Sequence, residues 1–243
     1  MRRLLTLALC LLSLPAFAQP IQSNAISAFG LTQVDIPFDS ATTPGNLIIA
    51  GFGSANATDG EDITSVTDEE ANSYTQLISG LTDQVTIWCT VSANAVSTVS
   101  GTVATPFTAL LFVFEFDVAD YDSCTTQESN AYAELDGGAF QASHTLPYVT
   151  VEANELVIGL IAPHAQLACT GTNGTTCLTD DGDTTTRYHM AYEISGSAES
   201  SSLTWDWGAA GTAHGMVVSL SPAAAAGTGA NPITGRLGQI VSD

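Results

Sequence analysis

The sequence predicts an all-β protein, folded as a two-sheet antiparallel sandwich, and three observations carry that prediction. Helical periodicity is nearly absent along the chain. In its place stand short apolar or alternating runs, separated by Gly, Asn, Asp, Pro and Ser-Thr clusters at strand-and-turn spacing. The length, 243 residues, suits one such unit, since all-β domains of about 200–250 residues are routinely single.

The elements follow in order. Residues 1–18 read MRRLLTLALCLLSLPAFA, a basic start, an apolar run and an Ala16-Phe17-Ala18 cleavage site before Gln19. That is the pattern of an export leader, and its apolar run is too short to span a bilayer. Cys10 lies inside the run after Leu9, where a lipoprotein site would need a small residue. The sandwich is expected over 19–220. Its candidate strands are 33–36, 46–51, 63–66, 74–78, 84–90, 96–103, 109–118, 140–149, 155–162, 187–194, 202–207 and 215–220. In the fifth, Val85, Ile87 and Cys89 alternate with Gln84, Thr86 and Thr90, which predicts one buried face. In the seventh, Leu110, Phe112, Phe114 and Phe116 fill one face while Leu111 and Val113 cover the other. This strand is expected to be central and buried on both sides. Residues 221–230 form a linker of small residues. The tail, 231–243, carries Ile233, Leu237, Ile240 and Val241 and is too short to be a domain. It is expected either to fray or to pair with a neighbouring molecule by strand addition.

The charge balance excludes several functions. Acidic residues number 25 and basic residues four, and there is no lysine. Removal of the leader takes Arg2 and Arg3, leaving Arg187 and Arg236 against the 25 acids, a net charge of −23. Phosphate backbones and anionic membrane surfaces are bound with Lys and Arg, so nucleic acid and membrane partners are not expected. Such acidity suits high-salt surroundings, where self-repulsion is screened.

Four cysteines remain after the leader: Cys89, Cys124, Cys169 and Cys177. An even number in an exported chain implies two disulfides, with three pairings open. Cys169 and Cys177 flank the loop TGTNGTT, which favours the local pair and leaves Cys89 with Cys124. Metal-binding and haem-attachment spacings of cysteine are absent.

One set of motifs resembles a known group. Pro44-Gly45-Asn46-Leu47-Ile48-Ile49-Ala50 is followed by Ile63-Thr64-Ser65-Val66-Thr67-Asp68 and Asn72-Ser73-Tyr74-Thr75. Then come Val85-Thr86-Ile87-Trp88, a strand ending Phe114-Glu115-Phe116, and Ala153-Asn154-Glu155-Leu156-Val157-Ile158-Gly159. This order, over about residues 32–220, resembles a loose family of secreted bacterial and phage-associated β-sandwich domains. Their recurring pieces are GNLLVV, VTDSAGNTYT, an aromatic xxWY strand, an EYSG strand end and ANELLVG. The chain departs from that pattern at Ala71, where a glycine is usual before the Asn, and at Glu115-Phe116-Asp117-Val118. The resemblance implies a jelly-roll-like sandwich with an extracellular adhesive or assembly role, and it brings no catalytic residues.

Several constellations of residues are candidates for chemistry. Asp59, Glu61, Asp62, Asp68, Glu69 and Glu70 form one acidic loop, and Asp180, Asp181 and Asp183 another. The second is the better candidate for a metal, with calcium the ion that oxygen-rich loops take. Neither matches the EF-hand pattern, and a solvated acidic face explains both. Glu115 ends a very apolar strand on the face of Leu111 and Val113. Buried there, it would be a candidate acid for polysaccharide hydrolysis, with Arg187 a candidate partner. Trp205, sharing a face with Leu203 and Trp207, and Trp88, sharing a face with Gln84 and Thr86, are candidate ligand-binding aromatics. Rings of this kind stack on sugars, although alternating tryptophans more often build a core. No G-x-S-x-G motif accompanies the four histidines. The expected function is therefore non-catalytic: a secreted or cell-surface structural or adhesive protein, with itself or other extracellular proteins as partners. A carbohydrate-binding module, with calcium as its candidate ion, is the alternative, and a polysaccharide hydrolase the third reading.

Overall fold

The computed structural model of the chain describes residues 19–54, 63–79, 85–124, 141–163, 170–171, 189–198, 200–211 and 213–223. Twelve strands run through them: β1 (Gln22–Pro37), β2 (Leu47–Ser54), β3 (Ile63–Asp68), β4 (Thr75–Ser79), β5 (Val85–Val91), β6 (Thr98–Phe116), β7 (Gln141–Val149), β8 (Leu156–Pro163), β9 (Thr170–Gly171), β10 (His189–Ile194), β11 (Ser200–Gly211) and β12 (Ala213–Leu220). All pairings are antiparallel. The fold class is the one the sequence predicts, an all-β sandwich.

The layering is richer than two sheets. The first sheet has the order β1-β6-β2-β5-β4, with β3 added on β6. The second is β10-β8-β12 and the third β7-β11-β9. Strand alternation aims the two faces of each layer at different neighbours. Leu47 and Ile49 of β2, Ile87 and Cys89 of β5, and Phe112, Phe114 and Phe116 of β6 point one way. They meet Leu156, Ile158 and Leu160 of β8, Met190 and Tyr192 of β10, and Met216 and Val218 of β12. The opposite face of β8 and β12, with Val157, Ile161 and Val217, packs on Leu146 and Tyr148 of β7 and on Leu203 and Trp205 of β11. Gly159 permits that approach: a Cβ there would stand 2.5 Å from Leu203 and 2.7 Å from Trp205.

A third core forms because β6 doubles back. Phe52 pairs in register with Leu111, yet its ring covers Gly101, where a Cβ would lie 1.3 Å from Cζ. Ten residues of straight strand would separate those positions by about 33 Å. The early half of β6, flanked by β3 and the late half of β1, is therefore folded over β2 and its own later half. Val34, Ile36, Val66, Val99 and Val103 are sealed there against Ile48, Ala50, Phe52, Leu111 and Val113. The fold-over coincides with two register shifts of β1 against β6, between Phe29 and Leu31 and between Leu31 and Gln33.

Three expectations change. The segments 96–103 and 109–118 belong to one strand. The first strand begins eleven residues before position 33, at Gln22. The second face of β5, expected at the surface, is covered: Thr86 and Thr90 are buried and Trp88 is half-buried against the folded-over ribbon. The central strand β6 is buried on both faces from Leu111 to Phe116, as its pattern requires. Cys89 is bonded to Cys124, joining β5 to the turn after β6. That turn carries Tyr121, whose ring meets Phe116 edge-on and whose hydroxyl donates to the Asn154 carbonyl at 3.1 Å. The leader, Cys169, Cys177 and the tail lie outside the described residues.

Candidate functional site

Glu115 is the carboxylate the sequence marks for chemistry, and the fold buries it to 1% exposure. It sits where β6 ends, facing β1 and the turn before β2. Oε1 accepts from the Thr43 backbone N–H at 2.8 Å and from Asn46 Nδ2 at 2.7 Å, and Oε2 accepts from Gln22 Nε2 at 2.6 Å. Asn46 is itself fixed, since its Oδ1 accepts from the Val118 N–H. Gln22 also donates to the Ser40 carbonyl and accepts from the Ser40 N–H. Glu115 thus ties three segments together. Removing it strands buried donors, at roughly 1–3 kcal/mol each, less where water reaches them. Glu115→Ala is accordingly expected to lower unfolding stability by about 3 kcal/mol in urea titration. Glu115→Gln, which turns one acceptor into a donor facing donors, should cost about 1–2 kcal/mol. Wild-type stability in both variants would refute the clamp.

Asp68 and Glu69 of the first acidic loop are likewise spent on structure. Asp68 Oδ1 accepts from the Glu70 and Asn72 N–H groups at 3.0 Å each, and Oδ2 from Asn72 Nδ2 at 2.9 Å. Asn72 Oδ1 takes the Ala93 N–H. Glu69 accepts from the Ser97 and Thr98 N–H groups. Ala71, standing where the resembled motif has glycine, takes φ +56° and is exposed. A left-handed conformation costs an L-residue about 1–2 kcal/mol. Ala71→Gly is expected to raise stability by about 1 kcal/mol, the strain relief exceeding the entropy cost of glycine. An unchanged or lower denaturation midpoint would contradict this.

Burial, then the neighbouring Asp68, pushes the Tyr74 phenol far up, and burial with Asp120 does the same for Tyr121. Folded phenols keep their protons where unfolded ones, near pH 10, lose them. The stability they contribute is therefore intact below pH ~10 and lost as pH rises above it. With no lysine in the chain, phenolate absorbance reads this transition directly. Alkaline unfolding should coincide with a step in that absorbance, and Tyr74→Phe should move it to higher pH.

The aromatic candidates are drawn inward. Trp205 is fully buried in the core between the second and third sheets. The structure puts its ring in the core and not on a sugar platform, because β8 covers it. Trp88 is half-buried and donates from Nε1 to Thr86 Oγ1 at 3.0 Å. Asp180, Asp181 and Asp183, the candidate metal ligands, fall outside the described residues, as do Asp59, Glu61, Asp62 and Arg187. Among the described residues no group of three or more His, Cys, Asp or Glu is placed to hold a metal ion.

Sequence reasoning passed over the strand edges. Among the described residues the first sheet ends on β1, β4 and the added β3, the second on β10 and β12, and the third on β7 and β9. Several of these edges carry features that discourage pairing. β1 has two register shifts and ends in Pro37, β4 is five residues long, and β7 contains Pro147. β10 and β12 run six and eight residues with neither a proline of their own nor a shift against their partner β8.

No protein-family model, curated protein or solved structure matches the chain.

Proposed function

We propose that the chain is an exported, non-catalytic structural or adhesive subunit, cleaved after Ala18, that assembles with copies of itself through its tail. The observation that carries this reading is the use of Glu115: the carboxylate best placed for chemistry has both oxygens committed to donors that lock β1, β2 and β6 together. The Cys89–Cys124 bond is compatible with an oxidising compartment. The apolar residues Ile233, Leu237, Ile240 and Val241 suit a strand added to a neighbour, and β10 and β12 are edges of the right kind to accept one.

The test is the solution mass of residues 19–243 by light scattering in high salt, with and without calcium, beside negative-stain images. Ordered polymers that vanish on deletion of 231–243 are expected. A monodisperse monomer would overturn self-assembly and turn attention to glycan binding.

A further inference from the structure

We propose that Gln19, as the amino-terminal residue of the exported chain, closes to pyroglutamate, and that the Tyr192 hydroxyl is the donor assisting the closure. This rests on the reading that the leader is cut after Ala18. Tyr192 Oη donates to Gln19 Oε1 at 2.8 Å, across 173 positions of sequence. The donor is rigidly held. Its ring is 7% exposed and stands edge-on to Phe114 and Phe116, with centroids at 5.6 and 5.9 Å. The backbone two residues on is anchored as well, since the Ile21 N–H donates to the Glu115 carbonyl at 2.7 Å. Gln19 itself is exposed, so the site is open to solvent.

The chemistry needs no co-reactant. Once the peptide bond to Ala18 is cut, the free α-amino nitrogen attacks the side-chain Cδ of its own residue. A new N–C bond forms and negative charge gathers on Oε1, the atom Tyr192 already hydrogen-bonds. The Cδ–Nε2 bond then breaks and ammonia departs, carrying the proton the amine gives up. A preorganised donor at a developing oxyanion stabilises the charged intermediate more than the starting amide. The lactam carbonyl of the product retains Oε1, so the bond to Tyr192 survives and the new amino terminus stays attached to β10. Closure also removes the terminal ammonium and leaves no free amine for an aminopeptidase.

Intact-mass measurement and amino-terminal sequencing of the chain secreted from the full-length precursor test this. The expected product starts at residue 19, weighs one ammonia less than the open form, and resists stepwise degradation from its amino terminus. Tyr192→Phe keeps the ring and loses the donor, and should slow closure by about tenfold or more. Denaturing the wild-type chain should slow it to the same extent. An open Gln19 that persists, or equal rates in wild type, variant and denaturant, would overturn the proposal while leaving the cleavage reading intact. A chain that starts at another residue would overturn the cleavage reading and the proposal with it.

Discussion

Replacing Gly101 by valine is expected to destabilise the protein by more than about 3 kcal/mol, beyond the ordinary range for an overfilled core. The reason is geometric. A Cβ at this position would stand 1.3 Å from Cζ of Phe52 and 2.2 Å from both ring Cε atoms. The ring has nowhere to retreat, because Phe52 is fully buried among Val34, Val66, Val99 and Leu111. Either the ring leaves the core or the folded-over half of β6 lifts from β2. Urea unfolding of Gly101→Val, Phe52→Leu and the double variant separates the cases. The double variant should recover part of the loss, giving a coupling energy of opposite sign to the single costs. Additive costs would show that the contact between ring and glycine does not limit packing.

The second large effect concerns Cys89 and Cys124. They close a loop of 35 residues in sequence separation, for which chain-entropy arithmetic gives about 4 kcal/mol. The bond also anchors the turn 117–124 that brings Tyr121 onto Phe116 and its hydroxyl to Asn154. Replacing both cysteines by alanine should lower the melting temperature by ten degrees or more, on the order of 2–4 °C per kcal/mol for a domain this size. The Tyr121 environment should change in near-ultraviolet circular dichroism. A variant that melts with the wild type would show that packing alone closes this turn.

Much of this architecture is legible in the sequence, and the misreadings have physical causes. The run Leu111–Phe116 announces a strand buried on both faces because every residue but Glu115 is apolar. The early part of β6 is harder to join to it because Pro106 interrupts the pattern. In the structure Pro106 lies where the ladder to β1 skips, between the pairs Leu31 with Phe107 and Gln33 with Thr102, so its missing N–H costs no β1 bond. Residues 22–26 of β1 carry little apolar signal because they lie on a sheet edge where their side chains are only partly covered. Thr86, Thr90 and Glu115 are polar yet buried, and alternation reads such residues as solvent-facing. Their covering comes from a segment tens of residues away, which no local window reports. The apolar setting marks the carboxylate at 115 in the sequence, but its three donors come from positions 22, 43 and 46, beyond the reach of spacing rules.

The pairing of β1 with β6 has a kinetic consequence. Gln22 meets Glu115 across 93 positions, and Gln19 meets Tyr192 across 173. Contacts so distant in sequence close large loops before they yield any gain, and folds dominated by them form in milliseconds to seconds. During that interval β2 and the late half of β6 hold apolar side chains on two faces, and β5 on one, with nothing to cover them, a state prone to aggregation. A chain threaded through a membrane as an extended polymer is spared both problems. It cannot fold prematurely while residues near 115 are still to follow, and its sticky strands emerge one at a time. Slow, non-local closure is thus the folding behaviour that suits the proposed export route.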